Sequence, residues 1–374
     1  AGPQQGHQEQ RLVLAVAVAG GDDLELLVPG DVDGDGRSDL LIGRGQRYAT
    51  AGDRLPLVLI PGSALEGLNA LDPSNPPAGS TRFRQSPSVE GSIPHRFAGG
   101  GDFDGDGLAD LAFLRYGSPV RLAVLRGRAG GLPAFVEPML AAELLLTFSG
   151  IVPNNARDLR FLGDVDGDGF DDLGVLRGNP GQLAEVEVVF GRAPGGADRR
   201  ATGSAAPHAG LVLPSQPKLG RIRGGVAADS FVLGVQTFGS APSVVVLGGP
   251  DFPGNLSLSN PGDRVVRLDA SHWRSPRDAL IVALGDVTED GVPDLGVAHQ
   301  PPSQDGTIQS VVALVPGRAS WPAQLDMGST DPSVVRGRVV LRGGAAVDTL
   351  ITGLAAVPDQ NGDGRRELLI ALGQ

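Results

Sequence analysis

Residues 163–176 read GDVDGDGFDDLGVL, with five aspartates in nine positions and an apolar run directly after them. So much like charge beside a stretch that must be buried calls for a counterion. The arrangement returns along the chain. It stands as GDVDGDGRSDLLIG at 30–43 and GDFDGDGLADLAFL at 101–114, and more weakly as GDVTEDGVPDLGVA at 285–298 and PDQNGDGRRELLIA at 358–371. The loops begin at Asp31, Asp102, Asp164, Asp286 and Asp359, at intervals of 71, 62, 122 and 73 residues. The third interval is close to two repeats, so a further copy is expected between the third and fourth loops. GGVAADSFVLGV at 224–235 fills that place, keeping the LGV ending of the third copy without its aspartates.

Short apolar segments frame each loop, such as DLELLV before and DLLIG after the first. A third segment follows (LPLVLI, VRLAVL, AEVEVVF, SVVVL, SVVALV), then a Gly/Pro-rich connector and a fourth (TRFR, LVLP, RVVRL, GRVVL). Four short strands per repeat is the pattern of β-propeller blades. No stretch sustains a 3.6-residue apolar period, so helices should be few. The predicted fold is all-β, a propeller of six blades with mostly four antiparallel strands each. One domain is expected over 1–374, with units near 20–90, 91–150, 151–215, 216–270, 271–345, and 346–374 plus 11–19. The last unit supplies only two strands of its own. RLVLAV at 11–16 precedes Asp31 by the spacing at which RVVL at 338–341 precedes Asp359. The N-terminal strand is therefore expected to close the last blade, removing two free edges.

Composition narrows the function classes. The net charge is −12, and Lys218 is the one lysine among 31 basic residues. An acidic balance argues against nucleic acid or an anionic membrane as partner. No apolar run approaches the roughly 20 residues of a membrane span, so membrane insertion is not expected. There are no cysteines, so neither disulfides nor thiolate metal sites contribute. The N-terminal AGPQQGHQEQ is polar and lacks a signal-peptide core.

In Asp-x-Asp-x-Asp-Gly-x-x-Asp, alternate positions of a tight loop direct side-chain oxygens to one point. Gly at position six supplies the turn, and the carbonyl at seven adds an oxygen. Several hard oxygens at this spacing suit Ca²⁺, whereas Mg²⁺ prefers to keep its waters. An EF-hand needs a bidentate Glu at position twelve. Here that position is Ile42, Phe113, Val175, Val297 and Ile370, and each loop closes instead at position nine, with Asp39, Asp110, Asp172, Asp294 and Glu367. Solvated Asx turns are the plain alternative, but five copies in one register favour about five calcium sites.

The loops resemble the FG-GAP repeats of the integrin α-subunit propeller and its bacterial relatives. VVFGRAPGG at 188–196 and WPAQLDMGSTD at 321–331 add to the likeness. The resemblance implies ligation by the side chains at positions one, three, five and nine, with the carbonyl at seven. In the first loop these are Asp31, Asp33, Asp35, Asp39 and the Arg37 carbonyl. In the second they are Asp102, Asp104, Asp106, Asp110 and Leu108, and in the third Asp164, Asp166, Asp168, Asp172 and Phe170. The fourth offers Asp286, Thr288, Asp290, Asp294 and Val292, and the fifth Asp359, Asn361, Asp363, Glu367 and Arg365. The chain departs from the pattern in unit four, which lacks a site, and in the Phe-Gly pair, clear only in unit three. Extracellular calcium modules bind at roughly 10⁻⁴ to 10⁻³ M. Such affinities imply a secreted or cell-surface protein, with Ca²⁺ in a structural role.

Tyr48, Tyr116, His272 and Trp273 fall by strand count on the face away from the acidic loops, which in integrin propellers faces the ligand. They are the candidate ligand-binding residues, with ASHWRSPRD at 270–278 the richest loop. No Gly-x-Ser-x-Gly, His-Glu-x-x-His or phosphate loop is present, so the chain is not expected to be an enzyme. The leading expectation is a monomeric adhesion or protein-binding module engaging an extracellular protein or glycan. A carbohydrate-binding lectin is the first alternative, and a polysaccharide lyase-type propeller the second.

Overall fold

The computed structural model describes residues 15–16, 24–44, 57–66, 68, 70–83, 96–115, 120–142, 144–148, 156–178, 185–204, 219–222, 229–234, 243–258, 264–269, 275–300, 309–342, 350–357 and 367–373. Apart from a short 3₁₀ turn at Gly62–Leu65 and one helical turn at Pro138–Ala141, every regular element among them is a strand. The chain divides into two compact units, residues 1–100, 108–115 and 121–146, and residues 101–107, 116–120 and 147–374.

In the first unit, Leu24–Gly30, Asp39–Arg44, Leu57–Ile60 and Thr81–Phe83 pair antiparallel in chain order. A second sheet lines up Arg96–Gly101, Asp110–Arg115, Val120–Leu125 and Leu144–Phe148. In Asp110–Arg115 and Asp172–Arg177, the strands that follow the second and third acidic loops, the four residues after the aspartate are apolar and buried because both faces of the strand are covered. In Asp110–Arg115, the first five residues are all buried. Val32, Leu41, Phe83, Leu111 and Phe113 share one core, with the Phe83 and Phe113 rings 5.0 Å apart.

In the second unit, Ala156–Gly163, Asp172–Arg177, Glu185–Val189 and Arg200–Ser204 form one antiparallel meander. Leu219–Ile222, Ser230–Gly234, Ser243–Val246 and Val265–Asp269 form the next. That second meander is the copy without aspartates, so the expected extra repeat folds like the rest. Ser275–Gly285, Asp294–Gln300, Gln309–Val315 and Gly337–Arg342 make another four-stranded sheet, and Leu350–Val357 pairs with Glu367–Gly373 alone.

Three of the connectors that precede a fourth strand contribute something local sequence did not reveal. Phe135–Val136 runs parallel to Arg82–Phe83, Asn255–Ser257 to Thr202–Ser204, and Gln324–Asp326 to Arg267–Asp269. Each connector adds a short fifth strand to the sheet of the preceding repeat. Asn255–Ser257, whose sequence NLS fits a glycosylation sequon, is one of these strands. Ala15–Val16 pairs in parallel with Ala70–Leu71. The N-terminal strand thus holds, toward the first repeat, the place a fourth strand holds toward the next. Closure would also pair it with the last two strands, and among the described residues those form a two-stranded sheet of their own.

Candidate metal centres

The first three acidic loops share one hydrogen-bond template. At position one, Asp31 Oδ1 accepts from the Gly34 and Asp35 amides at 2.7 and 3.1 Å, and Oδ2 from Gly36 at 2.8 Å. Asp102 accepts from Gly105, Asp106 and Gly107, and Asp164 from Gly167, Asp168 and Gly169, in the same way. One carboxylate therefore gathers three amides and bends the loop around itself. Position two is apolar and points into the core, since Val32, Phe103 and Val165 are buried. Its neighbours at one and three are thereby turned toward the loop's concave side. Glycines at positions four and six have positive φ, as at Gly34 (75°) and Gly36 (81°), a conformation that costs residues with a Cβ about 1 to 2 kcal/mol.

Position nine behaves differently from the rest. Asp39, Asp110, Asp172 and Asp294 are at most 1% exposed. Asp172 accepts the Val165 amide on Oδ2 at 2.8 Å and the Gly191 amide on Oδ1 at 2.7 Å. Asp39 accepts from Val32 and Gly62, and Asp294 from Val287, Thr288 and Gly317. Gly127 donates to Asp110 at 2.8 Å. In the bare repeat Ser230 takes this place, its hydroxyl accepting from Gly248 at 3.1 Å. Position nine is thus a staple between the acidic loop and the end of the third strand, whether or not the loop carries a site.

The donor of that staple is a glycine that sequence reading missed. Phe-Gly is clear only at 190–191, but the glycine itself recurs as Gly62, Gly127, Gly191, Gly248 and Gly317. A Cβ there would lie 2.6, 2.8, 2.5, 1.8 and 2.2 Å from the carbonyl oxygens of Ser38, Ala109, Asp171, Asp229 and Pro293. No side chain fits so close to a backbone oxygen. The available signal was a glycine two residues after the third strand in five repeats.

Asp31, Asp33 and Asp39 bring carboxylate oxygens within 4.8 Å of one another, as do Asp102, Asp104 and Asp110, and Asp164, Asp166 and Asp172. An oxygen that accepts one amide keeps a lone pair, so the staple and a cation can share a carboxylate. Burial, with the charges of Asp33 and Asp35 added, pushes the Asp39 carboxyl up to about 6. Burial pushes that of Asp172 up to about 8, reinforced by the charges of Asp166 and Asp168. Desolvation also raises Asp33 and Asp168, again with help from neighbouring carboxylates. Hard oxygen donors whose ionised forms are crowded and desolvated fit a divalent cation.

The shifts carry a sign. Asp39 and Asp172 bind protons more tightly folded than unfolded, so in chelator their contribution to stability falls as pH rises from about 4 to about 8. Calcium needs both groups ionised, so its affinity should rise over the same window. We expect the gap between melting temperatures with calcium and with chelator to widen from pH 5 to pH 8. A constant gap would contradict it.

The fourth loop keeps the turn without gathering three carboxylates. Asp286 accepts from Asp290 and Gly291, and Asp290 from Val292, but the Thr288 hydroxyl lies 3.3 Å from Asp294 Oδ1. Position four there is Glu289, with a φ of 61° where the other loops have glycine. Asp359, Asn361, Asp363 and Arg365 of the fifth loop lie outside the described residues, and Glu367 opens the last strand. Tyr48, Tyr116, His272 and Trp273 also lie outside the described residues. No helix among the described residues is long and apolar enough to cross a membrane.

No protein-family model and no curated protein matches the sequence. Among solved structures the chain is similar to rhamnogalacturonan lyase YesW, at 14% identity and a TM-score of 0.44, over 94% of this chain and 55% of that one. It is similar also to the exotype rhamnogalacturonan lyase YesX, at 14% identity and a TM-score of 0.41, over 86% and 53%. The chain spans about half the length of these structures. The expectation of a non-enzymatic protein is corrected by this finding: both are enzymes, so the lack of a familiar catalytic motif is no ground for excluding catalysis. At this level of likeness no reaction is assigned.

Proposed function

We propose that the protein is a calcium-binding β-propeller of FG-GAP, integrin-like kind, in which ions held by the acidic loops staple consecutive blades and the N-terminal strand completes the last one. The observation behind this reading is the shared template of the first three loops, which brings three carboxylates together each time. Backbone bonds add a reason for the ion to matter beyond its own loop. The Asp31 carbonyl accepts from Ala109, that of Asp102 from Asp171, and that of Asp164 from Asp229. Position one of each loop thus holds position eight of the next repeat. Outside the cytosol, with calcium near ~1 mM, sites of Kd ~0.1 mM would be mostly filled.

Elemental analysis after dialysis against millimolar calcium, with calorimetric titration, tests the reading directly. At least three equivalents per chain are expected, and none would sink it. For the partner, the candidates are an extracellular protein bound in adhesion and a polysaccharide bound or cleaved. Binding to arrayed matrix proteins and glycans, with calcium and with chelator, separates these. The two lyase structures make rhamnogalacturonan the first polysaccharide to assay, by the short-wavelength ultraviolet absorbance of the unsaturated sugar that a β-elimination leaves.

A further inference from the structure

Arg199 precedes the fourth strand of its repeat, 27 residues beyond the end of the third acidic loop, yet its guanidinium reaches into that loop. Nη2 donates to Asp166 Oδ2 at 2.7 Å and Nη1 to Asp168 Oδ2 at 3.2 Å. These are positions three and five of the candidate ligand set. The group lies 4.9 Å from the centroid of the Phe190 ring, and the Phe190 amide donates to the Arg199 carbonyl at 3.1 Å. Ring and backbone together hold the arginine in place. Asp166 has a side chain only 3% exposed, so a charged partner matters more there than at an open surface. In the first loop, by contrast, Asp35 Oδ2 at position five accepts from the neutral Ser63 amide.

We propose that Arg199 is a resident counterion of the third loop, one that steadies the loop when no metal is bound and lowers its affinity for calcium. The inference rests on the calcium reading above. Calcium brings two positive charges to carboxylates that already share one, so it must displace the guanidinium or bind beside it. A unit charge about 5 Å from a divalent ion, screened as in water, changes affinity by about tenfold. The third loop is thereby set to fill at higher calcium than its carboxylates alone would require, and to survive emptying.

The experiment is calcium titration of the full chain by calorimetry, for wild type, Arg199→Gln and Arg199→Lys, with melting of each in chelator. Arg199→Gln is expected to tighten one equivalent about tenfold, leave the others unmoved, and melt below wild type in chelator. Arg199→Lys, which keeps the charge, should bind like wild type. An Arg199→Gln isotherm that is unchanged or weaker overturns the proposal, because the arginine would then be idle or would be helping to position the ligands. Wild type taking up no calcium would remove the calcium reading itself, and that is seen before any substitution is made.

Discussion

Asp172→Ala is expected to destabilise the protein by about 3 kcal/mol even in chelator. The substitution leaves the buried amides of Val165 and Gly191 without an acceptor, each at about 1–3 kcal/mol, partly offset by removing a desolvated carboxylate. Asp168→Ala is the contrast. Asp168 takes an amide from Phe170 at 3.1 Å but sits at an exposed loop position, so in chelator its loss should cost under about 1 kcal/mol. In calcium both variants should lose the third ion. Denaturant melts of the two variants, with and without calcium, therefore separate the staple from the ligand. If Asp172→Ala costs no more than Asp168→Ala in chelator, the staple is unimportant.

Removing calcium from the wild-type chain should have the other large effect. At about ten times Kd, each bound ion adds about 1.4 kcal/mol, so three filled loops contribute about 4 kcal/mol. For a chain of this size that corresponds to a fall in melting temperature of about 5 °C. Calcium should restore it and magnesium should not, because Mg²⁺ gives up its waters reluctantly. Calorimetric scans in calcium, chelator and chelator with excess magnesium measure this. Equal melting temperatures in all three would leave the acidic loops as turns stabilised by their own amides.

Those turns were legible because everything that makes them lies within nine consecutive residues. The aspartate at position one, the glycines at four and six, and the buried residue at two act on each other locally, so GDVDGDG written twice and GDFDGDG once make the same turn three times. The strands were legible for a related reason: segments of four to six apolar residues between Asp, Gly and Pro leave little choice but to extend. Even the copy without aspartates could be located by its spacing, and Ser230–Gly234 lies where it was expected.

Tertiary structure decided what depends on register across tens of residues. It placed Gly191 against the Asp171 carbonyl and Arg199 on Asp166, pairings that no local period announces. It also turned connectors such as Gln324–Asp326 into parallel strands on a neighbouring sheet. In the fourth loop it showed Thr288 bonded to Asp294, where the motif alone read as a weaker version of the same site. The acidic loops and the strands beside them belong to the sequence, because turn chemistry and apolar runs act between near neighbours. The burial of each ninth position, and the counterion that reaches one loop, come from packing, which brings together atoms that the chain keeps apart.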